Sequence, residues 1–355
     1  MADRQACLER LIESVRAPDE HARRQAQRAF DAKTKPRGSL GRLEELGCRI
    51  AAISGRIPDR LCPAVVVAAA DHGVAAEAVS AYPQEVTVQM LANFVAGGAA
   101  INVLARQANA ALVVVDAGVV PAFQHELVRS VRIGAAGTAN LAEGPAMTRE
   151  QTLRALLAGS ELAAELAGEG INAVALGEMG IANTAAASAL TAALLRLDPA
   201  EVCGRGTGLD DAGLAHKIEI VRRALTRTPV DPDDPLQALA AFGGFEIAYL
   251  VGAALGCAAA RMVIVLDGFI SGAAALVARD LAPLTVEAMI AGHRSPEPGH
   301  PFILDALKLT PLLELGLRLG EGSAAALALP LLSSSIALLN EMATFDQAQV
   351  TDAGR

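Results

Sequence analysis

The chain contains no tryptophan and only two tyrosines among its 355 residues. Protein platforms that stack unpaired bases are built from aromatic rings, so this scarcity argues against a single-stranded RNA or DNA reader. Basic charge is not in excess either: 30 Lys and Arg against 39 Asp and Glu give a net charge of −9. No basic face is expected for nucleic acid or an anionic membrane. The first residues, MADRQACLERLIESVRAPDEHARRQ, lack the apolar segment of a signal peptide. Cys7, Cys48, Cys62, Cys203 and Cys257 lack CxxC spacing and are odd in number, which fits reduced thiols and a cytoplasmic location. No HExxH or HxxxH places two histidines on one helix face, so no metal site is expected. Two phosphate-binding signatures are also missing, GxxxxGK[ST] and a GxGxxG after the first apolar run.

Hydrophobic residues make up 52% of the chain and charged residues 19%, enough for a large core. The length suggests about two domains, or one large α/β domain with an appendage. Four short apolar runs stand out: Ala64–Ala70, Ala111–Val115, Ala173–Leu176 and Met262–Leu266. Continuous apolar runs without alternation mark strands covered on both faces, as in a parallel sheet. Helical patterns lie between them, including Gln151–Ala167 and Pro235–Ala260. The alternation predicts a doubly wound α/β fold. Two uncharged stretches, Val86–Ala105 and Gly322–Asn340, approach membrane-span length. The first carries Thr87, Gln89, Asn93 and Gly97-Gly98, and the second Pro330 and Ser333-Ser334-Ser335, so both read as buried helices of a protein without a membrane span. The N-terminal segment shows helices at Leu8–Val15 and Leu40–Ile53 around the turn Lys35–Ser39. It is expected to pack with the apolar C-terminal helix as a small helical domain. The expected division is residues 1–57, 58–320 and 321–355.

Each of the four apolar runs ends beside an acid and a glycine: Asp71-His72-Gly73, Asp116-Ala117-Gly118, Gly177-Glu178-Met179-Gly180 and Asp267-Gly268. Ligands of open parallel sheets bind outside the carboxyl ends of the strands, so these acids predict a polar rim there. One such acid alone would cap the next helix. The segment Gly204-Arg205-Gly206-Thr207-Gly208 frees several backbone N–H groups to converge on an anion, and Lys217 follows within reach. A mobile surface loop is the plain alternative. Asp210-Asp211 reads equally well as the acidic start of a helix. Ser295, in the polar loop His293-Arg294-Ser295, is a candidate oxyanion donor. In Gly320-Glu321-Gly322 a glutamate sits between two apolar segments, Leu312–Leu319 and Ala324–Leu332, both read as helical. Glycines on both sides predict a bend that presents the carboxylate, and burial there would raise its pKa into the range of a general base. On spacing alone, a solvated connector is an equal reading.

Eight blocks, in order, resemble the nicotinate-nucleotide:dimethylbenzimidazole phosphoribosyltransferase family. They are KPRGSLGRLE (35–44), DHGVAAEAVSAYPQEVTVQM (71–90), GEMGIANT (177–184), CGRGTGLDD (203–211), GGFEIAYLVGAALG (243–256), LDGFISGAAAL (266–276), HRSPEPGH (293–300) and LGLRLGEGSAAALALPLL (315–332). The resemblance covers nearly the whole chain. It implies a Rossmann-like parallel sheet flanked by helices, a small domain from the two chain ends, a homodimer, and no cofactor or metal. It implies transfer of the 5-phosphoribosyl group of nicotinate mononucleotide to a benzimidazole-type base, with Glu321 as catalytic base. By the same resemblance Glu178, Gly180, Asn183, Thr184, Gly204, Gly206, Lys217, Asp267 and Ser295 contact phosphate and ribose. Tyr82, Pro83, Gln89 and Leu319 line the base pocket. The chain departs from the family pattern at Ala182 and Ala78, where glycine is usual, and at Ser323-Ala324, where a Thr/Ser-Gly pair is usual.

That chemistry matches the missing motifs. The glycosidic nitrogen of nicotinate mononucleotide is already cationic, so its departure needs no general acid. No diphosphate leaves, so no Mg²⁺ is required to neutralise one. A diphosphate-dependent phosphoribosyltransferase and a noncatalytic benzimidazole or nucleotide sensor remain the rival readings.

Overall fold

The computed structural model describes residues 2–134 and 136–351. Six strands form one sheet: β1 (Pro63–Ala70), β2 (Ala111–Gly118), β3 (Val128–Ser130), β4 (Ala173–Met179), β5 (Val263–Leu266) and β6 (Met289–Ala291). Every pairing is parallel, and the spatial order is β3-β2-β1-β4-β5-β6. This is the doubly wound order, in which the chain reverses direction across the sheet between the first and fourth strands. The four apolar runs are β1, β2, β4 and β5. β1 is buried along its whole length, as expected of a strand covered on both faces. The edge strands β3 and β6 span three residues each, too short to leave a readable pattern.

Helices cover both faces. The helices Arg149–Gly168 and Phe245–Ala259 pack side by side, and their backbones nearly touch at two glycines. A methyl group on Gly252 would fall 1.8 Å from the Leu156 carbonyl oxygen, and one on Gly159 would fall 2.0 Å from that of Tyr249. The continuous helical pattern expected over Pro235–Ala260 is in fact two helices, Pro235–Phe242 and Phe245–Ala259. Gly243-Gly244 breaks it, because Gly244 takes an extended conformation. Leu312–Leu319, expected as a helix, has no helical turn. Its backbone is drawn onto the sheet, with Leu312 and Leu313 N–H groups donating to Ala291 and Gly292 at 3.0 Å.

Helices Glu20–Asp31 and Arg42–Ser54 share a small second core, made by Ala26, Phe30, Cys48, Ala51 and Leu339. The C-terminal helix Ser323–Glu341 joins it there: Ser335 Oγ donates to the Leu43 carbonyl at 2.6 Å. The N-terminal part of that helix instead packs on β4 and β5. The first helix, Ala2–Ser14, lies against Arg149–Gly168 and contributes Leu8 to the main core. Residues 352–355 of the C-terminal segment lie outside the described residues. The stretch Val86–Ala105 is two helices, Glu85–Ala96 and Ala100–Gln107, parted at Gly97.

Candidate active site

The acids at the strand ends divide into two pairs. Asp71 and Asp116 are fully buried and hold the turn after β2. Asp116 Oδ1 accepts the N–H groups of Gly118 and Val119 at 2.9 and 2.8 Å, and Asp71 Oδ2 accepts that of Val120 at 2.7 Å. The expected rim of four acids is therefore half architectural. Glu178 and Asp267 face a different partner, the loop carrying Glu321.

Glu321 sits at a true bend. Gly320, Glu321 and Gly322 all have left-handed backbones, with φ of 80, 63 and 78°. Glycine accepts this at no steric cost, whereas Glu321 is strained by about 1–2 kcal/mol. Strained non-glycine residues of this kind cluster at functional sites. Two strand ends hold the bend. Glu321 N–H donates to the Glu178 carbonyl at 3.2 Å. Asp267 Oδ1 accepts the N–H groups of Ala324 and Ala325 at 2.7 and 2.9 Å, in the first turn of Ser323–Glu341.

The Glu321 side chain is 4% exposed, and its Oε2 has no hydrogen-bond partner. A buried carboxylate oxygen left unpaired is expensive and calls for a ligand or a reaction. Burial first, then the Asp267 charge, push Glu321 up to about 7, opposed by the Ile101 N–H. Burial pushes Asp267 up to about 7 as well, opposed by the N–H groups of Ala325, Ala324 and Gly322. Glu178 is pushed furthest, to about 8, by burial and then by the charges of Asp267, Glu246 and Glu321. The Asn183 amide donates to Glu178 Oε2, which leaves Oε1 for the proton. Three adjacent carboxyl groups cannot all ionise, so near neutral pH the cluster holds at least one proton beside one carboxylate.

A cationic cradle stands across the helix Asn183–Leu195. Lys217, with no exposure, projects from the helix Asp211–Arg227 and donates to Thr184 Oγ1 at 2.8 Å and to the Gly204 carbonyl at 3.1 Å. A methyl on Gly206 would lie 3.5 Å from Lys217 Nζ. Burial lowers the Lys217 pKa. The structure thus gathers Thr184, Gly204, Gly206 and Lys217 in one place, and Glu178, Asn183, Asp267 and Glu321 in another. Gly180 lies on the loop between Glu178 and Asn183. Ser295 is buried beside Gly268 and donates its N–H to His300 Nδ1 at 2.9 Å, and burial pushes His300 down to about 3.

Asp210 caps its own helix by accepting the Gly213 N–H at 2.8 Å, and Asp211 pairs with Arg205, so neither acid enters the site. Tyr82 and Leu319 are exposed, at 54% and 56%, as are Pro83 and Gln89. The segment before Tyr82 does reach the cradle loop, since Thr207 Oγ1 accepts the Ala81 N–H at 3.2 Å. A cavity of about 550 Å³ between Met147, Thr148, Gln237 and Ala241 contains none of these groups.

Sequence reasoning missed three contributors. The helix Ala100–Gln107 presents the Ile101 N–H to Glu321. Glu297 lies against the cradle, accepting the Gly206 N–H on Oε1 at 3.1 Å. His72 and Glu246 pair beneath Gly180. An acid between two prolines was a visible sign of Glu297; the other two had no signal in spacing.

A parallel sheet in doubly wound order, with acids and an anion cradle at its carboxyl end, defines a nucleotide- or sugar phosphate-handling α/β protein. The phosphoribosyltransferase family model matches residues 15–350, and the chain belongs to that family. It is 51% identical over 346 residues to a protein of Chloroflexus aggregans named nicotinate-nucleotide--dimethylbenzimidazole phosphoribosyltransferase, covering 97% of this chain and 98% of that one. A protein of the same name from Desulforudis audaxviator is 51% identical over 351 residues, covering 98% of each chain. The structure described as CobT from Thermus thermophilus superposes with a TM-score of 0.89 at 49% identity, covering 94% of this chain and 100% of that one.

Proposed function

We propose that the protein transfers the 5-phosphoribosyl group of nicotinate mononucleotide to 5,6-dimethylbenzimidazole, giving α-ribazole 5′-phosphate and nicotinate for assembly of the cobalamin nucleotide loop. The observation that carries the reading is the buried Glu321 carboxylate with its unpaired Oε2, held at a strained bend beside Glu178 and Asp267 at the end of the sheet that also carries the Lys217 cradle.

In this reading Lys217, Thr184, Gly204, Gly206 and Ser295 bind the 5′-phosphate. Glu178, Gly180, Asn183 and Asp267 surround the ribose. Tyr82, Pro83, Gln89 and Leu319 flank the incoming base. One nitrogen of the benzimidazole attacks the anomeric carbon as the bond to the nicotinate nitrogen breaks; that electron pair neutralises the pyridinium. The attack comes opposite the leaving group and inverts β to α. The proton on the other benzimidazole nitrogen passes to Glu321, so the product is neutral at the base. A carboxylate at this position also stabilises oxocarbenium character in the transition state. Binding energy from the remote phosphate positions the ribose.

The same reading includes a cytoplasmic homodimer and the division of the chain at residues 57 and 320. The exposed apolar side chains of Tyr82, Leu315 and Leu319 support a second copy beside the site. The test is turnover of nicotinate mononucleotide with a panel of bases in EDTA. The expected result is base-dependent nicotinate release with α-ribazole 5′-phosphate as product. A strict requirement for Mg²⁺ and 5-phosphoribosyl diphosphate would overturn it.

A further inference from the structure

The loop 293–300 does more than present Ser295. Glu297 reaches from it to the glycine loop, 91 residues away in sequence, where its Oε1 accepts the Gly206 N–H at 3.1 Å. The other oxygen is pressed against the same loop. A methyl on Gly204 would fall 2.0 Å from Glu297 Oε2 and 2.7 Å from Pro298 Cδ, so only glycine at 204 lets the two loops meet this closely. Oε2 is buried there without a hydrogen-bond partner.

Glu297 is itself fixed by its own loop. Its N–H donates to Ser295 Oγ at 3.4 Å, and its carbonyl accepts the His300 N–H at 2.9 Å. His300 Nδ1 accepts the Ser295 N–H in turn. Proline on each side, Pro296 and Pro298, narrows the backbone freedom further. Lys217 holds the glycine loop by its opposite polarity, donating to the Gly204 carbonyl at 3.1 Å. The segment 204–206 is therefore tied down at an N–H by a carboxylate and at a C=O by an ammonium. Three glycines in five residues would otherwise be ordered at the expense of substrate binding. A carboxylate has the wrong charge to bind a phosphate, so its presence at an anion cradle points to another task.

We propose that Glu297 is a positioning residue for the 5′-phosphate: it pins the glycine loop to the Ser295 loop, so that the donors of both are set for one phosphate before it arrives. The inference rests on the reading of this site as the phosphoribosyl-transfer centre. Glu297 touches no reacting atom and acts through Gly204 and Gly206. The Gly206 N–H is committed to Glu297, and Gly206 serves the phosphate by its lack of a side chain, since a methyl there would lie 2.9 Å from Thr184 Oγ1. The Lys217 ammonium has three hydrogens and donates two, to Thr184 and Gly204, which leaves one for the phosphate.

Steady-state kinetics of Glu297→Ala and Glu297→Gln test the assignment. Glu297→Ala is expected to raise the KM for nicotinate mononucleotide about tenfold, the scale of one lost hydrogen bond to a charged group, with the KM for the base unchanged. Glu297→Gln restores an acceptor for the Gly206 N–H and is expected to recover most of that loss. Calorimetry with ribose 5-phosphate should show the same order of affinities without turnover. An unchanged KM in Glu297→Ala, equal rises for both substrates, or a glutamine variant as impaired as the alanine one overturns the assignment. Should Glu297→Ala not fold, amide hydrogen exchange of the wild type decides: a protected Gly206 N–H supports the clasp, and exchange at the rate of an open loop overturns it. Absence of nicotinate release by wild type that still binds ribose 5-phosphate counts instead against the transfer reading.

Discussion

At the scale of single residues, the site combines a carboxylate with one unpartnered oxygen, Glu321 Oε2, and an ammonium without solvent, that of Lys217. Glu321→Gln keeps the shape of the side chain but accepts no proton. Its turnover is expected to fall by ~10²–10⁴ with dimethylbenzimidazole binding retained. Because Glu321 titrates near 7, wild-type kcat is expected to fall as pH drops through that value, a limb absent from the variant. Near-wild-type turnover by Glu321→Gln would move the base to Glu178. Lys217→Met keeps the buried stem and removes the charge from the cradle. The expected cost is ~1.5–3 kcal/mol in nicotinate mononucleotide binding, read as a raised KM for that substrate with the KM for the base little changed. Equal effects on both substrates would remove Lys217 from the phosphate site.

At the scale of elements, two alanines occupy backbone conformations that suit glycine. Ala182, the N-cap of Asn183–Leu195, has φ 74°, and Ala78 has φ 53°. These are two of the positions where the sequence resemblance leads us to expect glycine, and the alanines hold the left-handed backbone there at the cost of a Cβ. Ala182→Gly is expected to stabilise the protein by about 0.5–1 kcal/mol, since the relief of left-handed strain exceeds the added unfolded-state entropy. Denaturant unfolding checks this, and a destabilised variant would mean that the buried methyl packs well enough to outweigh the strain. Element by element, the apolar runs made β1, β2, β4 and β5 legible, because a strand buried on both faces needs every residue apolar. β3 and β6 were not legible, since three residues have no period. The stretch 312–319 was misread because apolar residues pairing with a sheet edge look like apolar residues on a helix.

For the whole molecule, buried acids link function to stability. Glu321 has an ordinary value of 4.5 and about 7 in the folded chain. Across that interval the folded state holds a proton that the unfolded state has lost, so this group's contribution to stability declines as pH rises. The difference in Tm between Glu321→Gln and wild type is therefore expected to grow in favour of the variant from pH 5 to pH 8. Using the difference removes the opposing contribution of His300 and His293, whose lowered values act in both proteins alike. A flat difference would show that the carboxyl group is solvated.

The sequence by itself determined the alternation of strands and helices, the glycine-flanked bend at Glu321, the loop 204–208 with Lys217, and the family. These follow from local chemistry: apolar periodicity, backbone freedom at glycine, and short blocks in a set order. Only the tertiary structure decided which acids act together. Asp71 and Asp116 look the same in sequence as Glu178 and Asp267, yet the first pair holds the turn after β2, through Asp71 Oδ2 and Asp116 Oδ1. The second pair instead clasps a loop more than 50 residues further along the chain. The His72–Glu246 pair, 174 residues apart in sequence, exists only because the reversal of strand order brings β1 beside β4 and lays the helix Phe245–Ala259 across them. A carboxylate's pKa and its partners depend on what surrounds it in space, and that information is held by the packing of distant segments rather than by any one of them.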